Sequence, residues 1–206
     1  MRIAKGCWSW VATPLVLSIL LLVASWYSVW FLGFFIPVFC VLIFFLIFFR
    51  DPERIIGGGV ISPADGKIRD IKQENNQCVI SIFMEVNNVH VNRMPLDGRI
   101  LNMTHFPGYH LRAWKKESEY NERVVVTIET AIGQVTVLQI AGLIARRVYP
   151  YIKEGDVLKK GDRIGIIRLG SRVDVILPAA AVQSISVKIG DPVKAGQDTI
   201  ALLKEK

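Results

Sequence analysis

Charge is missing from the first quarter of this sequence. From Gly6 to Phe49, 44 consecutive residues include no Asp, Glu, Lys, Arg or His. A run that long excludes an ordinary soluble N-terminal segment, and it far exceeds the apolar stretch of about 7–15 residues in a cleaved signal peptide. Cysteine is scarce as well. The three are Cys7, Cys40 and Cys78, and none forms a CxxC pair. That spacing excludes a disulfide framework and a zinc site. Histidine is limited to His90, His105 and His110. His105 and His110 flank a Pro-Gly loop with no third ligand in view, so no metal is expected. The net charge of +7 is mild, and three of the basic residues lie in the first 50. No basic stripe with interleaved aromatics occurs, so nucleic acid is not an expected partner.

What is present at the N-terminus is apolar and aromatic. Eight of the ten Phe and four of the five Trp precede Arg50. A bilayer core takes roughly 20 apolar residues per helix. One straight helix of this run would be roughly 66 Å long at about 1.5 Å per residue. A two-helix transmembrane hairpin over residues 1–50 fits better. The break is expected near Leu32-Gly33-Phe34, with Pro37 early in the second helix. Pro14, after Thr13 as N-cap, is expected to open the first. Arg2 and Lys5 precede the run and Arg50 and Arg54 follow it, while the turn has no basic residue. The positive-inside rule then puts the hairpin in the cytoplasmic (inner) membrane with residues 51–206 on the cytoplasmic side. A re-entrant, partly inserted hairpin is the alternative.

The remaining residues read as mainly β. Alternating or β-branched runs recur at Lys67–Ile71, Val79–Phe83, Arg99–Met103, Val124–Thr130, Gln134–Gln139, Arg172–Leu177, Ser184–Val187 and Thr199–Leu203. Turn residues separate them at short intervals. One short helix is expected around Leu111–Ser118. The segment Ile152-Lys-Glu-Gly-Asp-Val-Leu-Lys-Lys-Gly161 is echoed by Val187-Lys-Ile-Gly-Asp-Pro-Val-Lys-Ala-Gly196. Paired units of this kind build barrel-sandwich-hybrid domains such as biotinyl carriers. A carrier would present a modified Lys beside Met, and no such turn occurs here. The echo reads as scaffold.

Arg168-Leu-Gly-Ser-Arg-Val-Asp-Val-Ile-Leu-Pro178 places a Gly-Ser pair before a β-branched strand. Alone, Gly-Ser is a common turn. The wider sequence resembles the phosphatidylserine decarboxylase family in its short, archaetidylserine decarboxylase-like or compact bacterial form. The matching stretches are Phe48-Phe-Arg-Asp-Pro-Glu-Arg54, Ser62-Pro-Ala-Asp-Gly66, Val89-His-Val-Asn-Arg-Met-Pro95, Asn121-Glu-Arg123, Gln139-Ile-Ala-Gly-Leu-Ile-Ala-Arg-Arg147 and Leu169-Gly-Ser-Arg-Val-Asp174. They run in family order along nearly the whole chain.

The resemblance implies a proenzyme that cuts itself between Gly170 and Ser171. The β chain would end at Gly170, and the α chain, 171–206, would begin with a pyruvoyl group made from Ser171. That group would be the only cofactor, with no metal. Its carbonyl would form a Schiff base with phosphatidylserine or a related serine phospholipid and act as electron sink while CO2 leaves. The resemblance also implies an Asp–His–Ser arrangement for self-cleavage, with Asp65 and His90 as partners of Ser171. A neutral His suits a base near pH 7. Longer bacterial relatives have His-x-x-His-Met-Pro, whereas Arg93 stands at the second His here. They also have Thr where Arg172 follows Ser171. His105, Arg146 and Arg147 are candidates for the substrate headgroup and its phosphate. A homo-oligomer is compatible with this reading.

Two other classes stay open at this point. One is a self-processing serine hydrolase using Asp65, His90 and Ser171, although no Gly-x-Ser-x-Gly elbow surrounds Ser171. The other is a noncatalytic, membrane-tethered carrier-like barrel.

Overall fold

The computed structural model divides into two compact units, 1–52 and 53–206. It describes residues 2–108, 121–142, 147–168 and 171–204. The helix expected around Leu111–Ser118 lies outside the described residues, as do Arg146 and Gly170.

The first unit is a helical hairpin of α1 (Trp8–Ala24) and α2 (Trp30–Phe48). Its ends are tied by two short antiparallel strands, β1 (Arg2–Ile3) and β2 (Arg50–Asp51). Trp10 meets Phe45 edge to face across the helices at 5.7 Å. The turn comes earlier than expected. It spans Ser25 to Val29, and Gly33 and Pro37 lie inside α2. The chain leaves α1 where its most polar stretch begins. There the Ser25 hydroxyl donates to the Leu22 carbonyl at 2.6 Å, and Trp26, Tyr27 and Trp30 stand almost fully exposed. Pro14 does not open α1 either. It lies inside the helix, and Thr13 Oγ1 donates to the Ser9 carbonyl at 2.8 Å instead of capping. Each interior proline removes one helical hydrogen bond. Pro14 and Pro37 both line one apolar cleft of about 590 Å³ between the helices. At 19 residues and a mean hydropathy of 3.0, α2 is long and apolar enough to cross a membrane; α1 is shorter, at 17 residues.

The second unit is mainly β. Its strands are β3 (Val60–Ile61), β4 (Gly66–Glu74), β5 (Gln77–Met84), β6 (Val91–Arg93), β7 (Gly98–Phe106), β8 (Arg123–Thr130), β9 (Gly133–Ala141), β10 (Val148–Pro150), β11 (Val157–Leu158), β12 (Arg163–Ile167), β13 (Ser171–Pro178), β14 (Val182–Ile185), β15 (Pro192–Val193) and β16 (Thr199–Leu203). Eight form one sheet in the order β11-β7-β8-β9-β13-β5-β4-β15. Two three-stranded sheets, β10-β12-β6 and β14-β16-β3, accompany it. None closes into a barrel among the described residues. The β4–β5 hairpin turns on Asn75 and Asn76, whose φ values of 51° and 59° suit a two-residue primed turn.

β13 is a central strand. It pairs antiparallel with β5 from Ser171↔Met84 to Pro178↔Gln77, and with β9 from Ser171↔Ala141 to Ile176↔Thr136. Its alternate residues Val173, Val175 and Leu177 enter the core with Ile80, Ile82, Val124, Val126, Val135 and Val137. Period-2 alternation puts these side chains on one face of the sheet.

The echo seen in the sequence extends further in space. The Gly155 N–H donates to the Ile100 carbonyl and the Ile100 N–H to the Asp156 carbonyl, just as Gly190 donates to Ile68 and Ile68 to Asp191, and Gly161 with Met94 repeats Gly196 with Ser62. The strand pairs β7–β11 and β6–β12 repeat as β4–β15 and β3–β16. The partners also match in sequence: Met94-Pro-Leu-Asp-Gly-Arg-Ile100 parallels Ser62-Pro-Ala-Asp-Gly-Lys-Ile68. The Asp of each copy caps the opposing turn. Asp97 Oδ1 accepts the Lys160 N–H at 2.6 Å, and Asp65 Oδ1 accepts the Ala195 N–H at 2.8 Å. The unit is built from two copies of one motif, in which the Asp-Gly segment clasps a Gly-Asp turn.

The Gly of Asp-Gly is required by close backbone approach. A Cβ on Gly66 would come within 2.2 Å of the Phe83 carbonyl oxygen, and one on Gly98 within 2.5 Å of that of Glu129. Gly66→Ala is therefore expected to lower stability by about 3 kcal/mol, the scale of forced overpacking. Thermal denaturation of the full chain, compared with an exposed control such as Lys72→Ala, measures it.

Candidate active site

Ser171 opens β13 and is fully buried. Its hydroxyl donates to Met84 Sδ at 3.1 Å. Directly paired residues of antiparallel strands share a face. Met84, Ser171 and Ala141 therefore form one row on the inner face. The row continues to Glu122, whose carbonyl accepts the Ala141 N–H at 2.9 Å. The next row runs Ile82, Val173, Gln139, Val124, His105. At the usual strand spacing, Ser171 and Glu122 are about 10 Å apart across the sheet.

Those rows end in a cleft of about 520 Å³ lined by Met103, His105, Glu122, Arg147, Val148 and Tyr149, among others. His105 Nε2 lies 3.1 Å from Glu122 Oε1. The same oxygen accepts the Val148 N–H at 3.2 Å. Two of the three residues singled out for the headgroup, His105 and Arg147, thus line one cleft on the face that carries Ser171. The third, Arg146, lies outside the described residues.

His90 immediately precedes β6 and is fully buried. Its Nδ1 lies 2.9 Å from the Asn88 carbonyl oxygen. A carbonyl only accepts, so Nδ1 carries the proton and Nε2 is the basic nitrogen of the neutral ring. The His90 carbonyl takes the N–H of Ile167, at the end of β12 and four residues before Ser171. Two residues on, the Asn92 amide reaches Met84 Sδ at 3.7 Å.

Asp65 is buried and held from three sides. Arg54 Nη2 donates to both carboxylate oxygens, at 2.9 and 3.2 Å. The Ala195 N–H adds a third bond and the Val89 N–H a fourth. The carboxylate thus grips Arg54 and, through Val89, the backbone beside His90. Among the described residues it makes no hydrogen bond to the imidazole. Burial pushes its pKa above the ordinary aspartate range, while Arg54 and the two N–H groups pull it back only in part. Arg54 is the partner that sequence reasoning missed. The signal was the Asp-Pro-Glu-Arg54 stretch, read there only as a membrane flank and a family match.

The two departures from longer relatives have structural places. Arg93 lies on the strand face opposite Asn92 and donates from Nη1 to the Gly161 carbonyl at 2.9 Å. It is buried and braces the turns at Gly161 and Gly196. Arg172 points away from the Ser171 face and pairs with Asp174 at 2.9 Å, so its charge is neutralised beside the seam.

The fold is an open β assembly with duplicated clasps, and among the described residues Ser171 is a buried serine at the head of a central strand, in row with a polar cleft; this is the build of an enzyme site. The family model for phosphatidylserine decarboxylase matches residues 41–201. A phosphatidylserine decarboxylase proenzyme from Streptomyces avermitilis is 41% identical over 198 residues, 95% of this chain and 91% of that one. A chain from Methanococcoides burtonii, named provisionally as an archaetidylserine decarboxylase proenzyme, is 43% identical over 209 residues, 98% of this chain and 97% of its own length. A phosphatidylserine decarboxylase proenzyme from Oleidesulfovibrio alaskensis is 41% identical over 197 residues, covering 90% and 88%. The chain belongs to the phosphatidylserine decarboxylase family, and so to the carboxy-lyases.

The Asp65 clasp has a pH signature. With a raised folded pKa, the native state holds more protons than the unfolded one in the window above the ordinary value. Stability is therefore full below that window and declines as pH rises through it. Arg54→Met leaves the carboxylate buried without its cation and widens the window upward. The expected loss at pH 7 is about 3–5 kcal/mol, shrinking toward pH 5. Denaturant titrations at the two pH values measure it; an equal loss at both would contradict the clasp.

Proposed function

We propose that this chain is a self-processing decarboxylase of serine phospholipids. The observation that carries the reading is the buried Ser171 hydroxyl at the head of a central strand, in row with a cleft that holds His105 and Arg147. A serine hydrolase would need that hydroxyl open to substrate.

In processing, Ser171 Oγ attacks the Gly170 carbonyl carbon. An ester C–O bond forms, the peptide C–N bond breaks, and the hydroxyl proton ends on the released amine. Loss of the Ser171 α-proton then breaks the Cβ–Oγ bond and frees Gly170 as a carboxylate. The remaining enamine takes up water and releases ammonia. A pyruvoyl group is left at the start of 171–206. The surroundings of Ser171 fit such a group: Val173, Ile82, Met84 and Ala141 exclude water, and no charged side chain shares their rows before Glu122. A carbonyl there supplies the electron sink for loss of CO2.

The chain's own residues do the rest. His90, with Nδ1–H fixed on Asn88, offers Nε2 as the base for the Ser171 hydroxyl. Asp65 is a positioning residue that fixes the backbone at Val89, next to that imidazole. Arg147 binds the lipid phosphate, and the His105–Glu122 pair holds a proton near the serine headgroup. The helical hairpin anchors the chain to the inner membrane, with its basic flanks on the cytoplasmic side. Phosphatidylserine and archaetidylserine share the serine headgroup, and both names occur among the relatives.

Intact-mass analysis of the purified full chain tests the core of this. Two chains split at 170/171 are expected, with Ser171→Ala remaining one chain and producing no phosphatidylethanolamine from phosphatidylserine. A wild type that stays whole with an unmodified Ser171 sinks the reading. In the processed enzyme, Arg147→Ala is expected to raise KM for the phospholipid about tenfold, the value of one charge-assisted contact, with kcat nearly unchanged. A fall in kcat at unchanged KM would move Arg147 out of ground-state binding.

A further inference from the structure

Gln139 is a full-length amide in the middle of an aliphatic core. It is completely buried, between Val173 on β13 and Val124 on β8. Its Nε2 donates to Asn92 Oδ1 at 2.8 Å. Asn92, also completely buried, donates from Nδ2 toward Met84 Sδ at 3.7 Å, and the same sulfur accepts the Ser171 hydroxyl at 3.1 Å. Gln139 Oε1 has no hydrogen-bond partner among the described residues. A hydrophobic side chain of the same size would bury no such oxygen. The fold also makes room for the amide. A Cβ on Gly165 would come 3.1 Å from Gln139 Nε2 and 2.8 Å from the Tyr149 carbonyl oxygen.

Packing alone gives no reason to keep such a chain of polar atoms. Its geometry does. The links join three strands, β9, β6 and β5, and end on the one hydroxyl at the head of β13. A thioether accepts a hydrogen bond weakly and cannot take the proton. Met84 therefore holds Ser171 in one rotamer without activating it. Asn92 and Gln139 in turn hold the sulfur in place. We propose that Gln139 is a positioning residue for self-cleavage: through Asn92 and Met84 it fixes the Ser171 hydroxyl in the orientation from which it meets the Gly170 carbonyl. The inference rests on the self-processing reading above and names a part of it that Asp65 and His90 do not supply.

The test follows chain splitting, not decarboxylation. The full-length protein is expressed and sampled over time by intact mass, alongside thermal denaturation. Gln139→Leu removes the unpartnered Oε1 but also the donor to Asn92 Oδ1, so it is expected to melt near the wild-type temperature, and the double variant with Asn92→Leu at or above it. Gln139→Leu is expected to split at least about tenfold more slowly, the equivalent of one lost orienting bond. Asn92→Leu should slow splitting similarly, and the double variant no further, since both sit on one path. Gln139→Glu gives a readout that a packing role would not move. A buried carboxyl titrates high, and only its protonated form can donate to Asn92. Its splitting should match wild type at pH 5–6 and fall as pH rises through about 7–9. A Gln139→Leu chain that splits at the wild-type rate overturns the proposal, as does slowing matched by a lower melting temperature or a pH-independent Gln139→Glu. If wild type itself does not split, the self-processing reading fails first and this inference with it. Should Gln139→Leu not fold, Gln139→Met takes its place in the same comparison.

Discussion

The register of β13 against its two neighbours is the constraint on which the rest depends. Ser171 faces Met84 on one side and Ala141 on the other. A slip of one residue would turn Ser171 outward and bring Arg172 into the core. The ladder resists that slip because β13 is paired on both edges and its inward residues are Val173, Val175 and Leu177, all fully buried. Burial of a Val or Leu side chain is worth about 1.5–3 kcal/mol, so a slipped strand would expose all three at once. The same register lines up Gln139, Val124 and His105, and so links the serine to the cleft two strands away. Arg172 and Asp174, on the opposite face of the strand, pair with each other.

Much of this fold is visible in the sequence. Seven of the eight β-rich runs lie within observed strands, because their alternation is set by one buried face, while Ser184–Val187 overruns β14, which ends at Ile185. The very short strands β3, β11 and β15 have no such pattern; turn geometry makes them, not side-chain period. The hairpin was also visible, since 44 uncharged residues allow little else. Its turn was misplaced because Gly33 and the prolines were read as punctuation. In an apolar hairpin, an interior Pro is tolerated where a neighbouring helix covers the backbone it frees. The polar group Ser25-Trp-Tyr-Ser28 was the better marker.

The site was legible unevenly. Ser171, Asp65 and His90 stand out only through ordered family stretches, and no local pattern raises Gly-Ser above a turn. Arg54 was missed because an ion pair across eleven residues of irregular chain leaves no periodic trace. Gln139 and Asn92 were missed because a buried amide reads, in sequence, like any polar residue in a strand. The Gly-Asp echo was found, but only half of it. Its other half is the match of Ser62–Ile68 with Met94–Ile100, which carries the two Asp, Asp65 and Asp97, that cap equivalent turns. The comparison also separates what Asp65 shares with its copy from what is its own. The turn cap is shared. Burial, Arg54 and the bond to Val89 are not.

That clasp acquires another meaning if the peptide bond before Ser171 is severed. Asp65 and Ala195 would then belong to different polypeptides, as would Ser62 and Gly196, Ile68 and Asp191, and every pair along both edges of β13. Contacts that close a fold within one molecule would become the interface of a heterodimer. Its cohesion would gain a concentration term that the uncut precursor lacks. The smaller partner, a 36-residue piece contributing a middle strand and half of one clasp, could leave only by unzipping the sheet from its centre. Dilution alone would therefore separate the halves slowly, because every hydrogen bond along both edges of β13 must break first.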